Sequence, residues 1–131
     1  MKFFKSFFKN LVYKNIILNL VLVFQFILIL VLMFQMFMGV YNPILIIQSD
    51  SMEPSIFKGD LVLINARIDL DDLLLNDTIA YYNPYEKRII VHRLIEKTED
   101  GFYLTKGDNN LYYDFFLVDK KQILGRVVMV I

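Results

Sequence analysis

The sequence has no cysteine. Neither a disulfide nor a thiolate metal site can form. It has a single histidine, His92, so a multi-histidine metal site is excluded too, and no metal or other cofactor is expected. An excess of one charge sign is also missing, because 14 basic and 14 acidic side chains cancel to a formal net charge of +0. Nucleic-acid binding needs a basic footprint, so no nucleic-acid partner is expected. What the 131 residues do have is apolar surface, with 56% of them hydrophobic. That is too much for an ordinary soluble domain unless the excess is gathered in one place.

It is gathered between Ile16 and Tyr41, in "IILNLVLVFQFILILVLMFQMFMGVY", where no residue is charged. About 20 consecutive apolar residues cross the hydrocarbon core of a bilayer as a helix. Asn19, Gln25 and Gln35 each cost something in lipid, yet single amides are tolerated there. A cleaved signal peptide has an apolar region of about 7–15 residues ending in small side chains. This run is longer and ends at "MFMGVYNP", so a retained anchor is expected. Lys2, Lys5, Lys9 and Lys14 precede it, whereas "NPILIIQSD" after it carries no basic residue. The positive-inside rule then places the N-terminus in the cytosol and the remainder outside. In residues 1–15, Lys2, Lys5 and Lys9 share one helical face, and Phe4, Phe8 and Leu11 share another. The pattern fits a short helix in the headgroup region, and equally a plain orientation signal.

Residues 42–131 have a different texture. "ILIIQ" (44–48), "DLVLINA" (60–66), "DTIAYYN" (77–83), "KRIIVHRLIEK" (87–97), "GFYLTKG" (101–107) and "QILGRVVMVI" (122–131) are short and rich in Ile, Val and Tyr. They read as strands separated by "FKGD", "NPYEK" and "TEDG" turns. The expected fold class is mostly β: one N-terminal transmembrane helix followed by a small antiparallel domain. "DLDDLLLND" (69–77) fits a loop or one helical turn.

Directly after the anchor comes "QSDSMEPSIFKGD". A serine becomes a nucleophile when a base stands within hydrogen-bond reach. Histidine is the natural base near neutral pH, and the chain's own lies in mid-strand, in "IIVHRLIEK". Asp108 and Asp114, in "TKGDNNLYYD", offer a carboxylate to orient it. The residues alone leave this open. A lone histidine on a strand is more often a satisfied structural residue, "SDS" fits a turn, and "GDNN" fits a hairpin.

Taken together, "SDSMEPSIFKGDLV", "VHRLIEK", "YLTKGDNNLYYD" and "QILGRVV" resemble the type I signal peptidases. The likeness is to the archaeal and endoplasmic-reticulum branch, which uses histidine where the usual bacterial enzymes use lysine. It runs from about Ile44 to the C-terminus, in the family's order and behind an anchor. The resemblance implies a membrane-bound serine endopeptidase that removes N-terminal signal peptides from exported preproteins. It implies Ser51 as nucleophile, His92 as general base and Asp114 as the carboxylate behind it. Asp108 would be a supporting acid, and Ser49 would join the Ser51 backbone N–H in an oxyanion hole. Pro54 would stiffen the turn that presents Ser51, and Met52 would anchor it. The expected partners are preproteins and the lipid bilayer; partner subunits are not identifiable from the sequence. The expected setting is the cell membrane, single-pass, with residues 42–131 as an extracytoplasmic catalytic domain.

Two departures stand out. Asp50 replaces the glycine that the family commonly has between the two serines, where a side chain either crowds the oxyanion site or points to solvent. "LYYDFFLVD" (111–119) is more apolar than usual, fitting either a packed strand or core cluster, or an exposed rim touching the membrane. The alternative function is a catalytically impaired, membrane-anchored binding subunit on the same fold.

Overall fold

The structure, a computed structural model, describes residues 2–131, with side chains from Val12 onward. The expected basic and aromatic faces of the first 11 residues lie outside the described side chains. Helix α1 spans Lys2–Met38. Its stretch Val12–Met38, 27 residues, is long and apolar enough to cross a membrane. At about 1.5 Å per residue that is about 40 Å, against about 30 Å of hydrocarbon. Residues 12–34 are exposed all round. A helix apolar on every face is matched to lipid rather than to water. It stops at Gly39, whose φ of 71° is the left-handed ending glycine adopts without strain.

The chain divides into two compact units, Met1–Phe34 and Gln35–Ile131. The last helical turn belongs to the second. Met38 is buried, and its carbonyl accepts the Ala66 N–H at 2.9 Å.

The second unit is built on one six-stranded sheet. Its strands are β1 (Ile44–Ile46), β2 (Leu61–Asn65), β3 (Thr78–Asn83), β4 (Arg88–Lys97), β5 (Tyr103–Lys106) and β6 (Ile123–Val130). Their spatial order is β1-β2-β6-β3-β4-β5, and every pairing is antiparallel. All six expected strands are present and the fold is mostly β. Side chains alternate between the two faces of a strand, and two apolar clusters follow. One gathers Leu73, Ile79, Tyr81, Leu94, Tyr103 and Val118. The other gathers Ile47, Met52, Ile56 and Val62. On β4, Ile90 packs against the first and its neighbour Val91 against the second.

Two segments left open by the sequence resolve as follows. "DLDDLLLND" holds a single 3-10 turn, Leu70–Asp72, capped by the Asp69 carboxylate, which accepts the Asp71 N–H at 3.0 Å. "LYYDFFLVD" is not a strand. The segment is tied to β5 at two points, Asp114 N–H to the Thr105 carbonyl and Val118 paired with Tyr103. Between and beyond these ties it alternates inside and outside. Val118 is buried and Phe116 packs on the first cluster, while Leu111, Tyr112, Tyr113 and Phe115 are exposed.

Candidate active site

Ser51 opens the turn that follows β1. Met52 behind it is 1% exposed and sits in the second cluster, so the turn is pinned from below. Backbone bonds Glu53 N–H to Asp50 carbonyl (3.1 Å) and Ile56 N–H to Met52 carbonyl (3.0 Å) close it. A second loop holds it from outside: the Asn109 N–H donates to the Ser51 carbonyl at 2.9 Å, and Asn109 Nδ2 donates to the Asp50 carbonyl at 3.2 Å. This approach requires Gly107, because a Cβ there would stand 2.5 Å from the Ser51 carbonyl oxygen. Asp50 itself is exposed.

His92 lies on β4 and is 7% exposed. Its Nε2 is 3.1 Å from Ser51 Oγ and its Nδ1 is 2.7 Å from Asp114 Oδ2. An ionised Asp114 only accepts, so Nδ1 carries the proton and Nε2 is free to accept from Ser51. With Ser51 donating to His92, the Ser49 hydroxyl, 3.0 Å away, donates to Ser51 Oγ. The sequence candidates Ser49, Ser51, His92 and Asp114 therefore form one continuous hydrogen-bonded chain.

Asp108 stands apart from it. His92 and Arg93 are adjacent on a strand and point to opposite faces. Arg93 takes Asp108 in a two-pronged pair, Nε to Oδ1 at 2.7 Å and Nη2 to Oδ2 at 2.6 Å. The expectation for a carboxylate in a "KGDNN" turn is backbone bonding; the guanidinium wins because it offers two parallel charged donors. Arg93 also donates to the Asn76 carbonyl at 2.7 Å, so it links the "KGDNN" loop to the segment before β3.

Electrostatics separate the two acids. Burial is the largest influence on Asp114 and pushes its pKa up. Hydrogen bonds from His92 and Thr105, the His92 charge and the Tyr81 hydroxyl outweigh burial together and leave it lowered. Asp108 is lowered mainly by its Arg93 hydrogen bonds, against burial. Both are carboxylates near neutral pH.

Sequence reasoning missed Tyr81, Thr105, Arg93 and Asn109. Tyr81 Oη donates to Asp114 Oδ2 at 2.9 Å and Thr105 Oγ1 donates to the same oxygen at 2.6 Å. Three of these residues sit inside the quoted motifs and were legible as members of them. Tyr81 had no signal beyond strand alternation.

The four-residue chain opens on a groove of about 1120 Å³. One wall is β1, with Ile44 and Ile46; the other is the first half of β4, with Ile89 and Val91. β1 ends the sheet, and β5 joins β4 only from Arg93 onward, so both walls carry a free strand edge. Chemically, such a site can seat an extended peptide and pass a proton between a serine hydroxyl and an imidazole backed by a carboxylate.

The family described as Peptidase S24-like matches residues 34–128. Similar proteins include the signal peptidase complex catalytic subunits of Fusarium vanettenii (38% identical), Sclerotinia sclerotiorum (34%) and Verticillium alfalfae (36%). Each match covers 66% of this chain and 56% of the relative, so the chain spans little more than half the length of these relatives. By the breadth of the family match and the identity of these relatives, the chain belongs to the peptidase S24-like family, on its endoplasmic-reticulum and archaeal type I signal peptidase side.

Proposed function

We propose that the chain is a membrane-anchored serine endopeptidase that cleaves signal peptides from preproteins. The observation that carries this reading is the Ser51–His92–Asp114 chain, with contacts of 3.1 and 2.7 Å, standing on a groove with two free strand edges. The preprotein lies extended in the groove and presents its scissile carbonyl to Ser51 Oγ. Ser51 attacks as its proton passes to His92 Nε2, and Asp114 stabilises the imidazolium. The oxyanion is held by the Ser51 N–H and by the Ser49 hydroxyl, which turns from Ser51 Oγ to meet it. His92 then gives its proton to the leaving amine, and water releases the signal peptide from the acyl-enzyme by the same route in reverse.

Residues 16–41 anchor the chain, the lysines before them keep the N-terminus cytosolic, and residues 42–131 work on the other side. The binding-subunit alternative expects a broken nucleophile–base chain, whereas these side chains stand within hydrogen-bond reach. The test is to incubate the purified protein in detergent with a labelled preprotein and to sequence the new N-terminus. One cut after an A-x-A-like site is expected, abolished in Ser51→Ala. Wild-type rates in that variant would remove Ser51 as nucleophile.

A further inference from the structure

The proposed chemistry leaves two buried hydroxyls without a task. Tyr81 and Thr105 are both 0% exposed, and both donate to Asp114 Oδ2, the oxygen that also faces His92 Nδ1. The sheet explains this convergence. β4 lies between β3 and β5. On the β3 side Tyr81 is paired with Ile90, and on the β5 side Thr105 is paired with Leu94. Cross-strand partners share a face, so both hydroxyls flank His92 diagonally, one from each neighbouring strand. Thr105 is 3.1 Å from Tyr81 Oη as well, which closes the cluster.

Resting on the peptidase reading above, we propose that Tyr81 and Thr105 are positioning residues that share the charge of Asp114 with His92, and so set how firmly the imidazole holds its proton. A carboxylate becomes less basic with every hydrogen bond it accepts. Charge engaged by two hydroxyls attracts the imidazolium less. Tyr81 is fit for this because burial, and secondarily the Asp114 charge, hold its phenol in the protonated, donating form. The other charged groups acting on the cluster are Asp108, itself engaged by Arg93, and Glu86, which acts on Tyr81.

The chain has one histidine, so nitrogen-15 labelling of histidine reports His92 alone. The experiment titrates that signal in detergent for wild type, Tyr81→Phe, Thr105→Val and Thr105→Ser, each checked for a cooperative melt. Tyr81→Phe and Thr105→Val should raise the midpoint by about half to one pH unit, the share of one charged hydrogen bond. Thr105→Ser keeps the hydroxyl and should keep the midpoint. The acid limb of kcat/KM for a preprotein should move by the same amount with KM unchanged, since neither side chain lines the groove. Midpoints unchanged or lowered in Tyr81→Phe and Thr105→Val would overturn the inference; if Thr105→Val does not fold, Tyr81→Phe decides alone. The NMR readout does not depend on cleavage, so it decides this point even if Ser51→Ala removes the peptidase reading.

Discussion

At the scale of single residues, the site rests on strand alternation. His92 and Arg93 are neighbours, yet each takes one of two aspartates on opposite faces of β4. The motif "TKGDNNLYYD" offers both acids, and its spelling cannot show which reaches the imidazole, because that depends on where the segment after β5 doubles back. The partition gives a paired expectation. Asp114→Asn should lower kcat by roughly 10⁴, as loss of a triad carboxylate does, with the fold intact. Asp108→Asn leaves Arg93 without its charged partner and should cost about 1–3 kcal/mol of stability while losing less activity per folded molecule. The pH dependence has a definite sign. Asp108 is lowered below 3.8 in the folded state, so its stabilisation is present above 3.8 and is lost as pH falls through the lower folded value. The difference in melting temperature between wild type and Asp108→Asn should therefore shrink below pH 3.8. If Asp108→Asn is inactive yet fully stable while Asp114→Asn stays active, the two roles are exchanged.

At the scale of elements, β1 and the first half of β4 make the groove. Along β1, Pro43 and Ile47 bond β2 through their backbones, the Pro43 carbonyl accepting the Ile64 N–H at 2.7 Å and the Ile47 N–H donating to Asp60 at 2.9 Å. By antiparallel alternation Leu45 does likewise, so the N–H groups of Ile44 and Ile46 point to the free edge. A substrate strand added there would bond the Ile46 N–H. Ile46→Pro deletes that donor and no bond to β2, and Leu45 is already extended, as a residue before proline prefers. The expected result is roughly a tenfold loss in kcat/KM for a preprotein, the worth of about one hydrogen bond, with little change in melting temperature. An unchanged kcat/KM would move the substrate off this edge. All six strands were legible from their β-branched and aromatic runs because strand identity is a local property. Register and neighbours were not, since β2 pairs with β6 some sixty residues away. "LYYDFFLVD" was ambiguous for a related reason. Its apolar side chains say nothing about direction until backbone bonds to β5 turn Phe116 and Val118 inward and Phe115 outward.

At the scale of the whole molecule, one unit is an apolar helix and the other carries the site. The helix was the most legible part of the sequence, because it holds a stretch of 18 residues whose mean hydropathy is 3.0. Its proposed contribution is concentration rather than chemistry. A preprotein whose own apolar segment lies in the same bilayer meets the site in two dimensions, and tethering of this kind raises effective affinity by about 10²–10⁴ without a new contact. Two consequences follow for protein reconstituted in vesicles. Replacing residues 12–34 with an unrelated apolar helix of equal length should leave preprotein processing within about twofold, since the helix supplies span and not side chains. Separating enzyme and preprotein into different vesicles should slow processing by about a hundredfold or more, whereas detergent, which mixes both, should restore it. The measurement is the initial rate of cleavage in the three preparations at equal total protein. Equal rates in shared and separate vesicles would show that the anchor does not act through concentration. A rate lost on exchanging the helix would show instead that its side chains, Asn19 and Gln25 foremost among them, make contacts the reaction needs.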